Sequence, residues 1–435
     1  MVKLVERNVH IDTVEFGSKT SVVKNTLIIN RDELLSLIKE SSGFEDVRIE
    51  LALPGDNCRI VRVADVIEPR IKISGCGQVF PGIISPLEIV GDGETVCLKG
   101  VAVVETWQMA SQVPMVIDMS GPIADISQFS RTNNIVLLAQ PLKDMSESEY
   151  ALALKRASLT MAKYLANAAI EVQTDDLVLY DLNNVREQRE SELPRVAYIC
   201  QIYSIQHLAE TLVYGHNSRN IIPTIIHPNE FFDGAIVNLQ YDNMSITETT
   251  YTYQNHPIIK ELYKRHDKDL LFTGVVLRNA PVSLIDKERA AALSAKLAKV
   301  YLKADGVVLT KEGGGHPQLD LDFTSKKCEE LGIKTVIAIV ESLSLSSGGS
   351  VNDMTLFNSK TADALVSCGM EEQIEIPKLS KVIGDELSDM QRVKEIEKTP
   401  GLSTDVFYQG GLLSNWSIRG ILSQFGETIF STKEY

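Results

Sequence analysis

Residues 270–315 read LLFTGVVLRNAPVSLIDKERAAALSAKLAKVYLKADGVVLTKEGGG. The run at 270–279 is apolar and rich in Val and Leu, and DGVVLT at 305–310 has the same character. Between them, residues 286–304 are dense in Ala, Leu, Lys and Glu, which favour a helix. Strand, long helix and second strand make a βαβ unit, and units of this kind lay their strands parallel.

The pattern continues on both sides. Upstream lie RVAYICQIYS (195–204), HLAETLVYGH (207–216), IIPTIIHP (221–228), DGAIVNLQ (233–240) and PIIKELYKRHDK (257–268). Downstream lie DLDFTSKKCEELG (320–332) and KTVIAIVE (334–341). The expected fold class is therefore α/β, with a doubly wound, mainly parallel sheet region spanning residues 194–435. In such sheets ligands sit beyond the carboxyl ends of the strands. That places interest on two loops, Glu230 to Tyr253 and Lys311 to Pro317.

Residues 1–142 differ. TLIIN, VRIELAL, RIVRVADV, RIKISG, TVCLKGVAVVET and NIVLLAQ are short Val- and Ile-rich runs between turn signals. They predict a β-rich N-terminal domain, interrupted by one helix at 31–43. Residues 143–193 read as a helical connector, with Ser146 or Ser148 as its N-cap. The stretch DMSGPIADISQFSRTNN, 118–134, reads as a long ordered loop suited to an interface.

Composition excludes several functions. A net charge of −15, from 43 basic and 58 acidic residues, does not suit a nucleic-acid surface or an anionic membrane. No apolar run reaches the roughly 20 residues of a membrane span. MVKLVERNVHIDTVEFG alternates charged and apolar residues, unlike a signal peptide, so a cytoplasmic location is expected. None of the six cysteines is spaced as CxxC, so no zinc site is expected and each reads as a small buried hydrophobe.

Chemistry concentrates in TKEGGGHPQLDLD, residues 310–322. Glycines after a strand let backbone N–H groups approach a ligand, although a plain tight turn fits equally well and neither nucleotide-binding signature is met. Glu312 and His316 are the candidate catalytic groups, with Gly313, Gly314 and Gly315 as binding backbone. Asp320 reads as a helix cap rather than a metal ligand, and no metal is expected. His227, Glu230 and Asp233 share the other strand-end loop and are candidate substrate contacts or hydrogen-bonded structural groups. His256 and His266 read as flanking a surface helix, without chemistry.

Taken in order, RIVRVADVIEPRIKI, FPGIIS, KGVAVV, DMSGPIADISQFSRTNN, VYGHNSRNIIPT, PNEFFDGAIV and GVVLTKEGGGHPQLDLD resemble component B of the glycine, sarcosine and betaine reductases. More narrowly, they resemble the proprotein of its alpha and beta subunits. The resemblance implies self-cleavage at an internal cysteine, a pyruvoyl group on the new terminus, and a partner subunit whose thiol or selenol completes C–N cleavage of a small amine. It implies no nucleic acid and no membrane as partners. In this chain NLQYDNMSITETT follows DGAIV and contains no cysteine, and Tyr241 stands about where the processing residue belongs. Self-cleavage needs a heteroatom on the β-carbon, both to attack the preceding carbonyl and to be eliminated. Tyrosine has none. Ser245 has one, so a pyruvoyl cofactor is expected only if Ser245 is processed, and the expected state is an uncleaved chain with no cofactor. The site is then either part of a catalytic subunit or part of a non-catalytic subunit that shapes the complex. If the family chain is cut here, the loop between Leu239 and Thr250 should be exposed and nicked first by protease. Two departures leave the substrate open: His316 follows the glycines where an asparagine-like residue is expected, and GGLLSNWSIRGILSQFG near the C-terminus does not follow the family pattern.

Overall fold

The computed structural model describes residues 2–41, 43–109, 115–182, 192–203, 210–241, 247–341, 359–384, 405–426 and 433–434. The stretch quoted above is a βαβ unit. Strand Leu271–Asn279 leads into helix Leu284–Lys296, and strand Gly306–Lys311 follows. The helix starts at Ser283, whose side chain accepts the Asp286 N–H.

Number the parallel strands β1 (Arg195–Ile202), β2 (Leu271–Asn279), β3 (Gly306–Lys311), β4 (Lys334–Glu341) and β5 (Ala364–Met370). Their order across the sheet is β2-β1-β3-β4-β5, with Thr224–Ile226 antiparallel on the β2 edge and Lys433–Glu434 antiparallel on the β5 edge. Alternation along β1 divides its side chains between two cores. Tyr198, Cys200 and Ile202 pack with Phe231, Phe232, Ile259 and Phe272. Ala197 and Ile199 pack with Ala295, Ala298, Leu321 and Cys328. Helix α1 (Pro257–Arg265) contributes to the first core, α2 (Leu284–Lys296) and α3 (His316–Glu330) to the second. Each fully buried aliphatic side chain here stabilises the fold by about 1.5–3 kcal/mol relative to exposure.

The N-terminal region is β-rich. One four-stranded sheet runs Phe44–Ala52, Asn133–Pro141, Val101–Thr106, Val63–Ile67; another runs Leu177–Asp181, Lys3–His10, Gly93–Lys99, Arg70–Ser74. Helix Glu147–Asn167 packs on them, with Ser146 and Glu149 forming a reciprocal capping box. Later chain returns to this region: Leu177–Asp181 pairs with Lys3–His10, and Lys381–Ile383 lies parallel to Cys58–Val61.

Residues 118–134 are ordered as two single turns at Pro122–Asp125 and Gln128–Arg131. Their buried side is covered by this chain's own C-terminal segment. Phe129 meets Tyr251 edge-on at 5.3 Å, and Ser127 Oγ donates to the Arg419 carbonyl at 2.8 Å. Gly420, at φ 84°, is needed there, because a Cβ would fall 2.9 Å from the Phe129 ring. Cysteines 58, 97, 200, 328 and 368 are buried, but Cys76 is exposed, because the Gly75–Gly77 turn holds it outside the sheet core. Among the described residues no helix is long and apolar enough to cross a membrane.

Candidate active site at the strand ends

After β1 the chain turns to the β2 side of the sheet, and after β3 to the β4 side, so their carboxyl ends diverge. Crevices in open parallel sheets form at this switch point. Glu312, the residue after β3, extends the ladder once through its N–H to the Gln201 carbonyl at 2.9 Å. Its carboxylate is buried: Oε2 accepts the Tyr203 N–H at 2.8 Å and Oε1 accepts the Tyr253 hydroxyl. Burial, reinforced by the charge of Glu248, pushes its pKa up to about 8.

Glu248 is itself fully buried. Its Oε1 accepts the Gln424 N–H at 2.6 Å and the Thr247 hydroxyl at 3.0 Å, while Oε2 has no hydrogen-bond partner among the described residues. Burial raises its pKa too. Lys311 ends β3 and is buried beside them, which pushes its pKa down to about 8 against the attraction of Glu248. Its Nζ donates to the Gly313 carbonyl and to Gln424 Oε1 at 3.2 Å. Gln424 therefore touches both the lysine and the glutamate. Two groups on β3 and its exit, and one on the 247–250 segment, thus share one buried polar cluster under residues 423–425.

The glycines fit a close turn. Gly313 has φ 73° and a Cβ there would lie 2.7 Å from the Tyr203 ring; Gly315, at φ 76°, opens α3. His316 is the first residue of α3. Its Nδ1 lies 2.7 Å from Lys287 Nζ, and its ring centroid is 5.8 Å from that of Tyr203. Glu312 and His316 therefore flank Tyr203. Asp320 does not cap the helix. It lies one turn inside, bonded to Arg278 at 2.6 Å and to Lys287, because two buried cations require a counter-charge there. Among the described residues no group of three or more His, Cys, Asp or Glu side chains is arranged to hold a metal.

The other loop is built differently. His227 caps the short helix Pro228–Phe232, and Glu230 closes that capping box while accepting the Tyr214 hydroxyl. Burial pushes His227 down to about 4, so it is neutral. Asp233 accepts from Lys72 at 2.6 Å, Thr95 Oγ1 at 2.6 Å and the Gly91 N–H at 2.8 Å. Asp233 thus clamps the loop to strands of the N-terminal region, His227 and Glu230 secure the helix start, and all three lie apart from the Glu312 cluster's hydrogen bonds. His256 is not on a surface. It is fully buried beneath the start of α1, stacked on Phe425 at 4.3 Å and 3.1 Å from the Tyr198 hydroxyl, and burial pushes it down to about 3.

Tyr241 is buried as well. Its ring lies 5.5 Å from Trp107 and 5.3 Å from Lys155 Nζ, and its hydroxyl donates to Glu105 Oε2 at 2.7 Å. Lys155 bridges Glu105 at 2.9 Å and Asp65, and Asp65 also accepts the Thr250 N–H at 2.8 Å. The expectation of an exposed loop is thus overturned at both flanks: Leu239, Gln240, Tyr241 and Thr247 to Thr250 are all buried. Their hydroxyls and amides find internal partners, including a capping box between Thr249 and Thr252, so a polar sequence does not mean a solvated loop. Ser245 lies outside the described residues.

Sequence reasoning missed Glu248, Lys311 and Gln424. The Lys-Glu pair closing an apolar strand was a usable signal for Lys311. Glu248 sits in a Ser/Thr run that resembles any loop, and Gln424 comes from a distant segment that only the fold brings in.

Fold and site together define an α/β protein with a buried acidic cluster at the switch point of its parallel sheet. The family described as glycine/sarcosine/betaine reductase component B subunits matches residues 2–401. The sarcosine reductase complex component B subunit alpha of Peptoclostridium acidaminophilum is 39% identical over 381 residues, covering 86% of this chain and 88% of that protein. The glycine reductase complex component B subunits alpha and beta of Acetoanaerobium sticklandii are 37% identical, covering 89% and 90%. The betaine reductase complex component B subunit alpha of P. acidaminophilum is 33% identical, covering 88% of each. The chain belongs to the glycine, sarcosine and betaine reductase component B family.

Proposed function

We propose that this chain is the substrate-binding subunit of a heteromeric reductase that cleaves the C–N bond of a small amine, with a second subunit supplying a reactive thiol or selenol. The observation that carries the reading is the buried Glu248, Glu312 and Lys311 cluster at the β1/β3 switch point, in a chain whose relatives are named as reductase component B subunits. In the reaction so read, a bond forms between the partner's sulfur or selenium and the substrate carbon. The C–N bond breaks and its electron pair leaves on nitrogen. This chain's residues bind and orient: Glu248 takes the amine end, Glu312, which burial keeps protonated to about pH 8, can pass its proton to the departing nitrogen, Lys311 takes an acid end, and the Gly313–Gly315 turn lets the backbone pass close by. His316 sits at the rim of the same turn, where a proton can be exchanged. We read the scaffold as a doubly wound sheet preceded by a β-rich domain at 1–142 and a connector at 143–193, and its place as the cytoplasm.

A pyruvoyl group at the processing position does not fit Tyr241. That side chain has no heteroatom on its β-carbon, and its ring fills the space between Trp107 and Lys155. No step is therefore routed through such a group. Denatured intact mass with a carbonyl-reactive hydrazide tests Ser245 directly: one unlabelled full-length species is expected, and a labelled fragment beginning at 245 would restore the carbonyl chemistry.

The functional test is reconstitution with the thiol- or selenol-bearing subunit and measurement of substrate-dependent amine release. Glu312→Gln should lower turnover by about 10²-fold or more with assembly intact. The burial of Tyr241 favours one further reading, a non-catalytic subunit that shapes the complex. On that reading Glu312→Gln leaves turnover unchanged.

A further inference from the structure

His316 opens α3, and Asp320 lies one turn further along the same face. Lys287, in the first turn of α2, and Arg278, near the end of β2, are brought against that face. Lys287, Arg278 and Asp320 are buried. Arg278 donates to Asp320 Oδ1 at 2.6 Å, to the Asn279 carbonyl at 3.0 Å and to Thr324 Oγ1. Lys287 Nζ donates to Asp320 Oδ2 and to the Pro281 carbonyl, and it lies 2.7 Å from His316 Nδ1. The His316 carbonyl is farther off, at 3.5 Å.

Counting donors fixes the state of the ring. An ammonium has three N–H groups, and the two oxygens take two of them. The third meets Nδ1, which must accept it. An N–H on Nδ1 would require a neutral lysine beside a buried carboxylate. Asp320 Oδ2 is not the partner of Nδ1, because 3.8 Å is too long for a hydrogen bond. In a neutral imidazole the nitrogen that does not accept carries the proton, so the proton stands on Nε2. Nε2 is buried and has no hydrogen-bond partner among the described residues. The ring stands beside Tyr203, whose N–H binds Glu312, so this unmatched donor belongs to the rim of the Glu312 cluster.

We propose, resting on the reductase reading above, that Lys287 is a positioning residue. With Asp320 and Arg278 behind it, Lys287 fixes His316 as the tautomer protonated on Nε2, so the rim of the site offers one N–H donor to an acceptor atom of the bound substrate. A proton given up at Nε2 is replaced at Nδ1 by one from Lys287 Nζ, and its return reverses both transfers. Asp320 stays paired with Arg278 throughout.

The direct test is nitrogen NMR at neutral pH on the full chain carrying isotope-labelled histidine, with His316→Asn identifying the His316 signals. Expected is a bare Nδ1 and a proton-bearing Nε2. A proton on Nδ1, alone or in a charged ring, overturns the proposal. Lys287→Met should release the ring into a mixture of tautomers, and Lys287→Arg, which keeps a donor, should restore most of the single form. An unchanged ring in folded Lys287→Met also overturns it. Should Lys287→Met fail to fold, the spectrum of the unmodified chain decides by itself. In the reconstituted complex, kcat for amine release should fall about tenfold in Lys287→Met and recover in Lys287→Arg. Equal kcat in all three overturns the positioning role. No amine release from the unmodified complex would sink the reductase reading instead, and the NMR result would still decide the state of His316.

Discussion

Two buried charged clusters involve Tyr241 and residues 247–250, and they are finished to different degrees. Around Tyr241, Lys155 forms ion pairs with both Asp65 and Glu105, and Thr250 and the tyrosine hydroxyl fill further acceptor positions. Around Glu312, no ion pair joins Lys311 to either carboxylate among the described residues, burial raises both glutamates and lowers the lysine, and Glu248 Oε2 finds no partner among the described residues. A filled network of paired ions holds elements together. An incomplete one can still receive a partner. Burial and charge alone do not separate the two; the bookkeeping of donors and acceptors does.

Breaking the filled cluster should cost the most stability. Lys155→Ala leaves Asp65 and Glu105 buried without a counter-ion and should lower unfolding stability by about 3–5 kcal/mol in denaturant titration. Glu312→Gln, although equally buried, should leave stability unchanged or raised, since it removes a carboxylate that burial disfavours. An equal loss in both variants would erase the distinction. Tyr241→Phe removes one hydrogen bond to Glu105 and should cost about 1–3 kcal/mol, leaving the ring packing against Trp107 in place.

The pH dependence sharpens the contrast. In the folded chain Glu312 keeps its proton to about pH 8, whereas unfolded it releases the proton near 4.5. Between those values the folded state holds more protons, so this group's contribution to stability falls as pH rises. Lys311 acts in the next window: folded, it loses its proton at about 8, against 10.5 unfolded, so its contribution recovers as pH rises from 8 to 10.5. Melting temperature measured across pH should therefore fall less steeply below pH 8 in Glu312→Gln than in the unmodified chain. Parallel curves would contradict the buried, protonated state of Glu312. The smallest effect is expected from the exposed Glu261–Lys264 pair on α1, where Lys264→Ala should change stability by under about 1 kcal/mol.

Much of the scaffold was legible because periodicity reports burial. The βαβ unit at 270–311 and the helix capped at Ser146 follow from apolar spacing and capping chemistry, which are local. The candidate site was half legible. Glu312 and the glycines after a strand are signals within a few residues of one another. Glu248 was hidden in a Ser/Thr run, and Gln424 lies 112 residues beyond Glu312 in a segment that only long-range packing delivers. The same limit misled the reading of residues 239–241 and 247–250. Polar residues there are buried because partners from Asp65, Glu105 and Ser423 reach them, and no local pattern encodes a partner so far away. Asp233 reads like a site carboxylate, yet Lys72 and Thr95 consume its acceptors from strands more than a hundred residues earlier.

The measurement that bears most directly on the difference between the two clusters is substrate-dependent amine release by the reconstituted complex, with Glu312→Gln and Tyr241→Phe compared side by side. Loss of turnover by about 10²-fold in Glu312→Gln, with Tyr241→Phe retaining it, is the predicted result. Turnover that survives Glu312→Gln and is lost in Tyr241→Phe would move the chemistry to the filled cluster and contradict the account.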